Sequence, residues 1–339
     1  MKKYVISSQE FAQVYIDPSF QDLVPTMPYN STLFDWTPYD LKGKTSTQII
    51  NLRRTGNILQ RRDASCDLNY KNFMGTTLRK MTIDELYAAT RHCPHSFYQG
   101  ALKDFRRNDP LFEKNIEPFF RSAISTDLLS NGYFGNLNRV PSPTSIYNTT
   151  SYKGVLEWLK DYQAAGVLPA NQAFNISNVN LRDNPATALA VLDSAYNKQN
   201  LLMRNMAPAD KAFYVSQNIV DGLENYYRSL GQTTPNLIAQ YQNGVKVYAH
   251  NNIIILVEPL FEPILAELSN NPNAALCILT LRGNFSYGYD SLYGEGENLD
   301  EAFRLWYDDK ELSWYYQMFL KAGTQVALPE HVVYGITAF

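Results

Sequence analysis

His92-Cys93-Pro94-His95 gathers two imidazoles and a thiol in one short run, and these are ligand types that zinc takes. The spacing does not suit one ion, because adjacent Cys and His side chains do not easily reach the same tetrahedral centre. No CxxC or HxxxH elsewhere completes the set. Gly294-Glu295-Gly296-Glu297-Asn298 has the glycines of a phosphate loop. It sets two carboxylates where a phosphate needs backbone donors and a lysine, so it reads as a solvated turn. Asp308-Asp309 beside Lys310 lies between two strand patterns and reads as a hairpin turn before it reads as a metal pair. Glu258 and Glu262 are the one carboxylate pair suited to glycoside hydrolysis, and Pro259 and Pro263 disturb any helical face they would share. No GxSxG surrounds a serine, and 4 histidines leave general bases scarce. No catalytic, cofactor-binding or metal residue is assigned. The expectation is a protein that is no enzyme and needs no cofactor or metal.

The elements around these residues have to be built by a chain of 339 residues, 45% hydrophobic, enough for about two domains with real cores. A net charge of −3 argues against nucleic-acid binding by bulk charge. The apolar run Ile253-Ile254-Ile255-Leu256-Val257 is far short of a membrane span. The start, Met1-Lys2-Lys3 and then Tyr4-Val5-Ile6, is too short for a signal peptide. Cys66, Cys93 and Cys277 are odd in number and far apart, which suits free thiols in a reducing cytoplasm. Tyr 24 and Phe 17 make the chain aromatic-rich, a feature shared by sugar-binding proteins and large buried interfaces.

The near-neutral total hides two poles. Residues 42–80 hold nine bases against two acids, and residues 257–311 hold eleven acids against three bases. Solvated charge can cluster by chance. The sharper reading is a basic projection on one copy meeting an acidic face on another.

Residues 1–42 scatter Phe11, Val14, Tyr15, Ile16, Phe20, Leu23 and Val24 without a period, as an extended arm does when it lies on another surface. Residues 43–83 read as β: 45–52 and 57–62 flank a turn at Thr55-Gly56, and 76–83 follows. Their apolar content is thin, which suits a two-stranded projection on which no core depends. Helical spacing begins behind Pro118 with Phe119, Phe120, Ala123, Ile124, Asp127 and Leu128. Ser151 is a candidate cap for a helix through Tyr162 that ends at Gly166. Asn184-Pro185 opens a helix of about 20 residues. Ala212-Phe213-Tyr214-Val215 is a short buried strand, and Ser216 caps the helix behind it. Strand patterns follow at 245–248, 253–257, 275–280, 285–289, 303–307, 314–321 and 325–329. Segregated helices and antiparallel-looking strands indicate an α+β fold.

The order of these parts resembles the Hong Kong 97-type major capsid protein of tailed, double-stranded DNA bacteriophages. The stretches that carry the likeness are Leu279-Thr280-Leu281-Arg282-Gly283-Asn284-Phe285-Ser286-Tyr287-Gly288-Tyr289-Asp290, Phe303-Arg304-Leu305-Trp306-Tyr307-Asp308, and Phe319 through Glu330 with Val332-Val333-Tyr334-Gly335. Phe119 through Asp127, with Tyr133-Phe134-Gly135-Asn136, is similar to that family's spine-helix region. The resemblance implies an N-arm at 1–42, an extended β loop at 43–95, a peripheral domain at 96–148 and 300–339, and an axial domain at 149–299. It implies hexamers and pentamers of the chain in an icosahedral shell around double-stranded DNA, bound without sequence specificity. It also implies a separate scaffolding protein, since the arm leaves no room for a scaffolding region before it. A portal and decoration proteins, and a virion assembled in the host bacterial cytoplasm, complete the expectation. Read with the charge poles, it makes Arg53, Arg54, Arg61, Arg62, Arg79 and Lys80 the expected inter-subunit contacts. The competing readings are an aromatic-rich carbohydrate-binding protein or glycosidase using Glu258 and Glu262, and another virion component such as a portal.

Overall fold

In a computed structural model of the chain, the described residues are 36–39, 46–54, 74–92, 123–142, 145–230, 240–242, 245–291, 303–308, 311 and 313–337. In chain order they begin with β1 (Thr37–Tyr39), β2 (Ser46–Arg54), β3 (Met74–Thr82), β4 (Asp84–His92), α1 (123–134) and α2 (Val155–Ala164). Next come β5 (Ala173–Ile176), α3 (Pro185–Asn197), α4 (Leu201–Asn205), β6 (Lys211–Val215), α5 (Gln217–Ser229), β7 (Gln240–Gln242) and β8 (Val245–His250). The remainder is β9 (Ile253–Val257), α6 (Phe261–Ser269), β10 (Leu276–Leu281), β11 (Phe285–Ser291), β12 (Phe303–Asp308), β13 (Ser313–Val326) and β14 (Val332–Thr337).

β6 and β10 are apolar on both faces, which only a strand covered on both sides tolerates. They sit at the centre of a seven-stranded sheet ordered β5-β14-β10-β6-β9-β8-β7, in which β6–β9 and β14–β5 are parallel. Phe213, Val215, Cys277, Leu279 and Val333 pack with α3 and α5 on one face. Ala212, Tyr214, Leu276, Ile278 and Val332 pack with α1, α2 and α6 on the other. The fold is α+β, as the residue pattern indicates.

β13 organises a second, five-stranded sheet. β4 pairs with its residues 314–322, while β11 pairs with 320–326 and β12 with 313–318. Because β4 overlaps both of the others in register, it must take one edge of β13 while β11 and β12 share the opposite edge. β13 is thus one strand of 14 residues where the sequence reading has two.

Several expectations need correction. β14 belongs to the seven-stranded sheet, whereas β12 and β13 lie in the five-stranded sheet together with β4 and β11. β2 pairs with β3, from Ser46↔Thr82 to Arg54↔Met74, while the expected strand at 57–62 lies outside the described residues. α3 stops at 13 residues because Asn200 starts a new helix, its side chain accepting the Met203 N–H at 2.7 Å. α2 begins after Gly154, not Ser151, whose N–H instead donates to Asn131 Oδ1 at 2.9 Å. Gly135 and Gly154 cross there, joined at 2.8 Å from Gly154 N to Gly135 O, and a Cβ on either would meet backbone within 2.5 Å. Ser216 is the N-cap of α5 by position, but its hydroxyl donates to Asn218 Oδ1 and accepts the Leu276 N–H, tying the helix to β10.

The end of the arm is not on another surface. Trp36 is buried in its own chain, edge-on to Tyr133 at 4.8 Å and to Phe285 at 5.4 Å, with Nε1 donating to the Tyr133 hydroxyl. β1 then adds in parallel to β11. The arm anchors Phe11 to Val24 lie outside the described residues.

Candidate functional site

The β2–β3 ribbon holds the described residues of the basic segment. Its strands alternate as a pleat must. Ile49, Thr77, Arg79 and Met81 point toward the body of the chain, whereas Gln48, Ile50, Thr76, Leu78 and Lys80 point out. Ile49 and Met81 are buried, so the ribbon contributes to the core, contrary to the expectation that no core depends on it. Asn51 Nδ2 donates to Ala327 O at 2.7 Å, and Gln325 Nε2 donates to Lys80 O at 2.7 Å, fastening it to β13. Gly323 of β13 permits the approach, since a Cβ there would lie 2.2 Å from Thr82 O.

Arg79 is held inside its own chain, its guanidinium carbon 4.8 Å from the centroid of the Tyr162 ring. Lys80 is exposed. Arg53 and Arg54 lie at the far end of β2, opposite Gly75 and Met74 in register. Arg61 and Arg62 lie outside the described residues, as do Cys66, Cys93, Pro94, His95 and the 294–298 segment. On the outward face, Ile50 and Leu78 are direct cross-strand partners and stand 61% and 57% exposed. Two large apolar side chains thus stand side by side on the solvent face of the ribbon.

The acidic segment divides. Arg182 clamps Glu262 through Nη1 and Nη2, both at 2.8 Å, and reaches Asp221 with Nε at 2.8 Å. These carboxylates raise the Arg182 pKa above its ordinary value. Glu258 is buried before α6, and the Leu260 N–H donates to it at 3.4 Å. Both Glu262 oxygens are thus committed to Arg182, while Glu258 is buried at the start of α6. Glu311 pairs with Arg91 at 3.3 Å. Glu267 is exposed at the end of α6.

Glu267 lines a cleft of about 300 Å³ together with Asp127 of α1 and the segment that carries Arg139, Ile146 and Tyr147. Burial pushes the Asp127 carboxyl up to about 6, partly offset by the Asn148 N–H that donates to Oδ1 at 3.3 Å. Burial, and then Glu267, raise the Tyr147 hydroxyl, while burial and Asp127 raise Tyr152. In the sequence Asp127 shows only as a helix-period position. Only the crossing of α1 with the loop behind it reveals its desolvation.

Among the described residues no group of three or more His, Cys, Asp or Glu could hold a metal ion, and no helix is long and apolar enough to cross a membrane. Cys277 is a buried free thiol whose pKa burial raises.

No protein-family model and no curated protein sequence matches the chain. Solved structures do. A chain of the satellite phage P4 procapsid, determined with its size determination protein, superposes with a TM-score of 0.56 at 14% identity, over 93% of this chain and 98% of that one. The capsid of Myoviridae phage XM1 gives 0.49 at 11% identity, covering 99% of this chain and 97% of that one. The mature capsid of bacteriophage PhiM1 gives 0.48 at 9%, covering 99% and 92%. At these identities the likeness is one of architecture, and it spans the procapsid chain nearly end to end. The chain has the Hong Kong 97-type capsid fold.

Proposed function

We propose that the protein is the major capsid subunit of a tailed bacteriophage, a structural shell protein and not an enzyme. It builds hexamers and pentamers that close into an icosahedral head around double-stranded DNA. The observation that carries this reading is the fold it shares, over nearly its whole length, with a procapsid chain. The outward Ile50–Leu78 pair supports it, since that surface needs a neighbour to cover it. Contacts between unlike patches of identical chains close into rings, which is how one subunit makes five- and six-membered capsomers.

The partners follow from that role: copies of itself, a scaffolding protein during assembly, a portal, decoration proteins, and DNA on the inner wall. The virion, assembled in the host bacterial cytoplasm, is its place. Arg53, Arg54, Arg61, Arg62 and Lys80 are the candidate contacts between subunits, with Arg79 turned inward onto its own Tyr162. Negative-stain microscopy of the purified chain, with and without scaffold, tests the reading. Shells or capsomer rings are expected. A stable monomer by sedimentation at tens of micromolar, or a single twelve-fold ring, overturns it.

A further inference from the structure

We infer that the cleft between α1, the loop that follows it and the end of α6 is a binding site for a small organic dication, a short linear diamine taken from solution. The site lies within one chain, so the inference goes beyond the shell-subunit reading and does not depend on it.

The cleft holds about 300 Å³ and has a carboxylate on each of two walls, Asp127 from α1 and Glu267 from α6. Among the described residues neither acid forms an ion pair, and the Asp127 carboxyl accepts a single backbone N–H, from Asn148 at 3.3 Å. Arg139 also lines the cleft, but it is engaged elsewhere. Its Nη1 donates to Phe134 O at 3.1 Å, and Glu157 is the acid that acts on it. Tyr147, the remaining titratable group on the wall, is neutral at ordinary pH because burial and Glu267 both raise it. Two carboxylates therefore share one space without a counter-charge from the chain.

The rest of the lining decides what kind of cation fits. A calcium ion takes about six to eight oxygen ligands, and among the described residues no group of three or more His, Cys, Asp or Glu could hold a metal. Val140, Pro141, Ile146 and Leu268 line the same cleft, with Val140 and Ile146 85% and 78% exposed. Apolar surface gives a hydrated ion nothing, but it covers the methylene chain of an alkylamine. An ammonium at each end of that chain meets a carboxylate on each wall through charge-assisted hydrogen bonds. One ligand thus answers both the charge and the hydrocarbon of the site.

Binding is linked to proton release. Burial holds the Asp127 carboxyl at about 6, and a bound ammonium favours its ionised form. Affinity should be complete above that value and fall about tenfold by pH 5, where about nine in ten Asp127 carboxyls are protonated.

Isothermal titration calorimetry of the full chain with 1,4-diaminobutane at pH 7.5 tests the site. Saturable binding is expected, with n-butylamine at least about tenfold weaker and magnesium chloride at equal concentration unable to displace the diamine. Glu267→Gln, at an exposed position, should reduce the diamine to the butylamine level. Asp127→Asn keeps an oxygen for the Asn148 N–H, and it should weaken binding and remove its pH dependence. Circular dichroism checks that both variants fold. The inference is overturned by absence of saturable binding to wild type, by equal binding of the two amines, or by displacement with magnesium, which would mean bulk charge screening. Unchanged affinity in both folded variants overturns it as well. Each of these results leaves the shell reading standing, because shells are scored separately by microscopy.

Discussion

The guanidinium of Arg79 lies over the ring of Tyr162, 4.8 Å from carbon to centroid, and so joins β3 to α2. The Tyr162 hydroxyl donates to Gln325 Oε1 at 2.8 Å, and Gln325 reaches back to the Lys80 carbonyl. Four residues thereby close a loop between the ribbon, a helix and β13. Arg79→Ala should cost about 1 kcal/mol, since the lost cation–π contact and stem packing are offset by removing a buried Nε that has no hydrogen-bond partner. Urea denaturation measures it. No change would mean that Arg79 is free to face a neighbour.

Asp127 should make the fold less stable as pH rises. Its folded pKa of about 6 lies above the ordinary 3.8, because burial penalises the ionised form. Its contribution is complete below 3.8 and is lost as pH rises through 6, by roughly 2 kcal/mol once partial solvent screening is allowed for. Asp127→Asn should match wild type near pH 4 and exceed it in melting temperature at pH 7. Parallel pH profiles for the two proteins would refute the desolvation argument.

Gly323 should tolerate no side chain. A Cβ would sit 2.2 Å from Thr82 O, a backbone atom that can move only if the ribbon leaves β13. Gly323→Ala should cost more than about 2 kcal/mol, in the range of overpacking. Limited proteolysis should then cut near residues 82–84, where wild type resists.

Removing residues 312–339 should give insoluble protein. The deletion takes out the organising strand of the five-stranded sheet and, with β14, the strand between β5 and β10. It also exposes the buried faces of Leu276 and Ile278. A soluble truncation with an unchanged melting profile would contradict the strand assignment.

Much of the architecture was local enough to read from residues. Ala212-Phe213-Tyr214-Val215 is apolar on both faces, and so had to be a central strand. Pro185 and Gly166 mark helix ends because their φ preferences act whatever surrounds them. The order of these parts was enough to suggest a capsid fold. What needed the third dimension was every pairing between distant segments. Periodicity shows that 46–54 is a strand but not that its partner is 74–82, nor that 332–337 leaves its neighbours for the other sheet. Arg79 and Lys80 are identical to a charge count, and only the pleat against α2 turns one inward and the other out. Asp127 gives the same lesson. Its residue type is written in the chain, whereas its raised pKa comes from burial under a loop that only the folded protein brings across it.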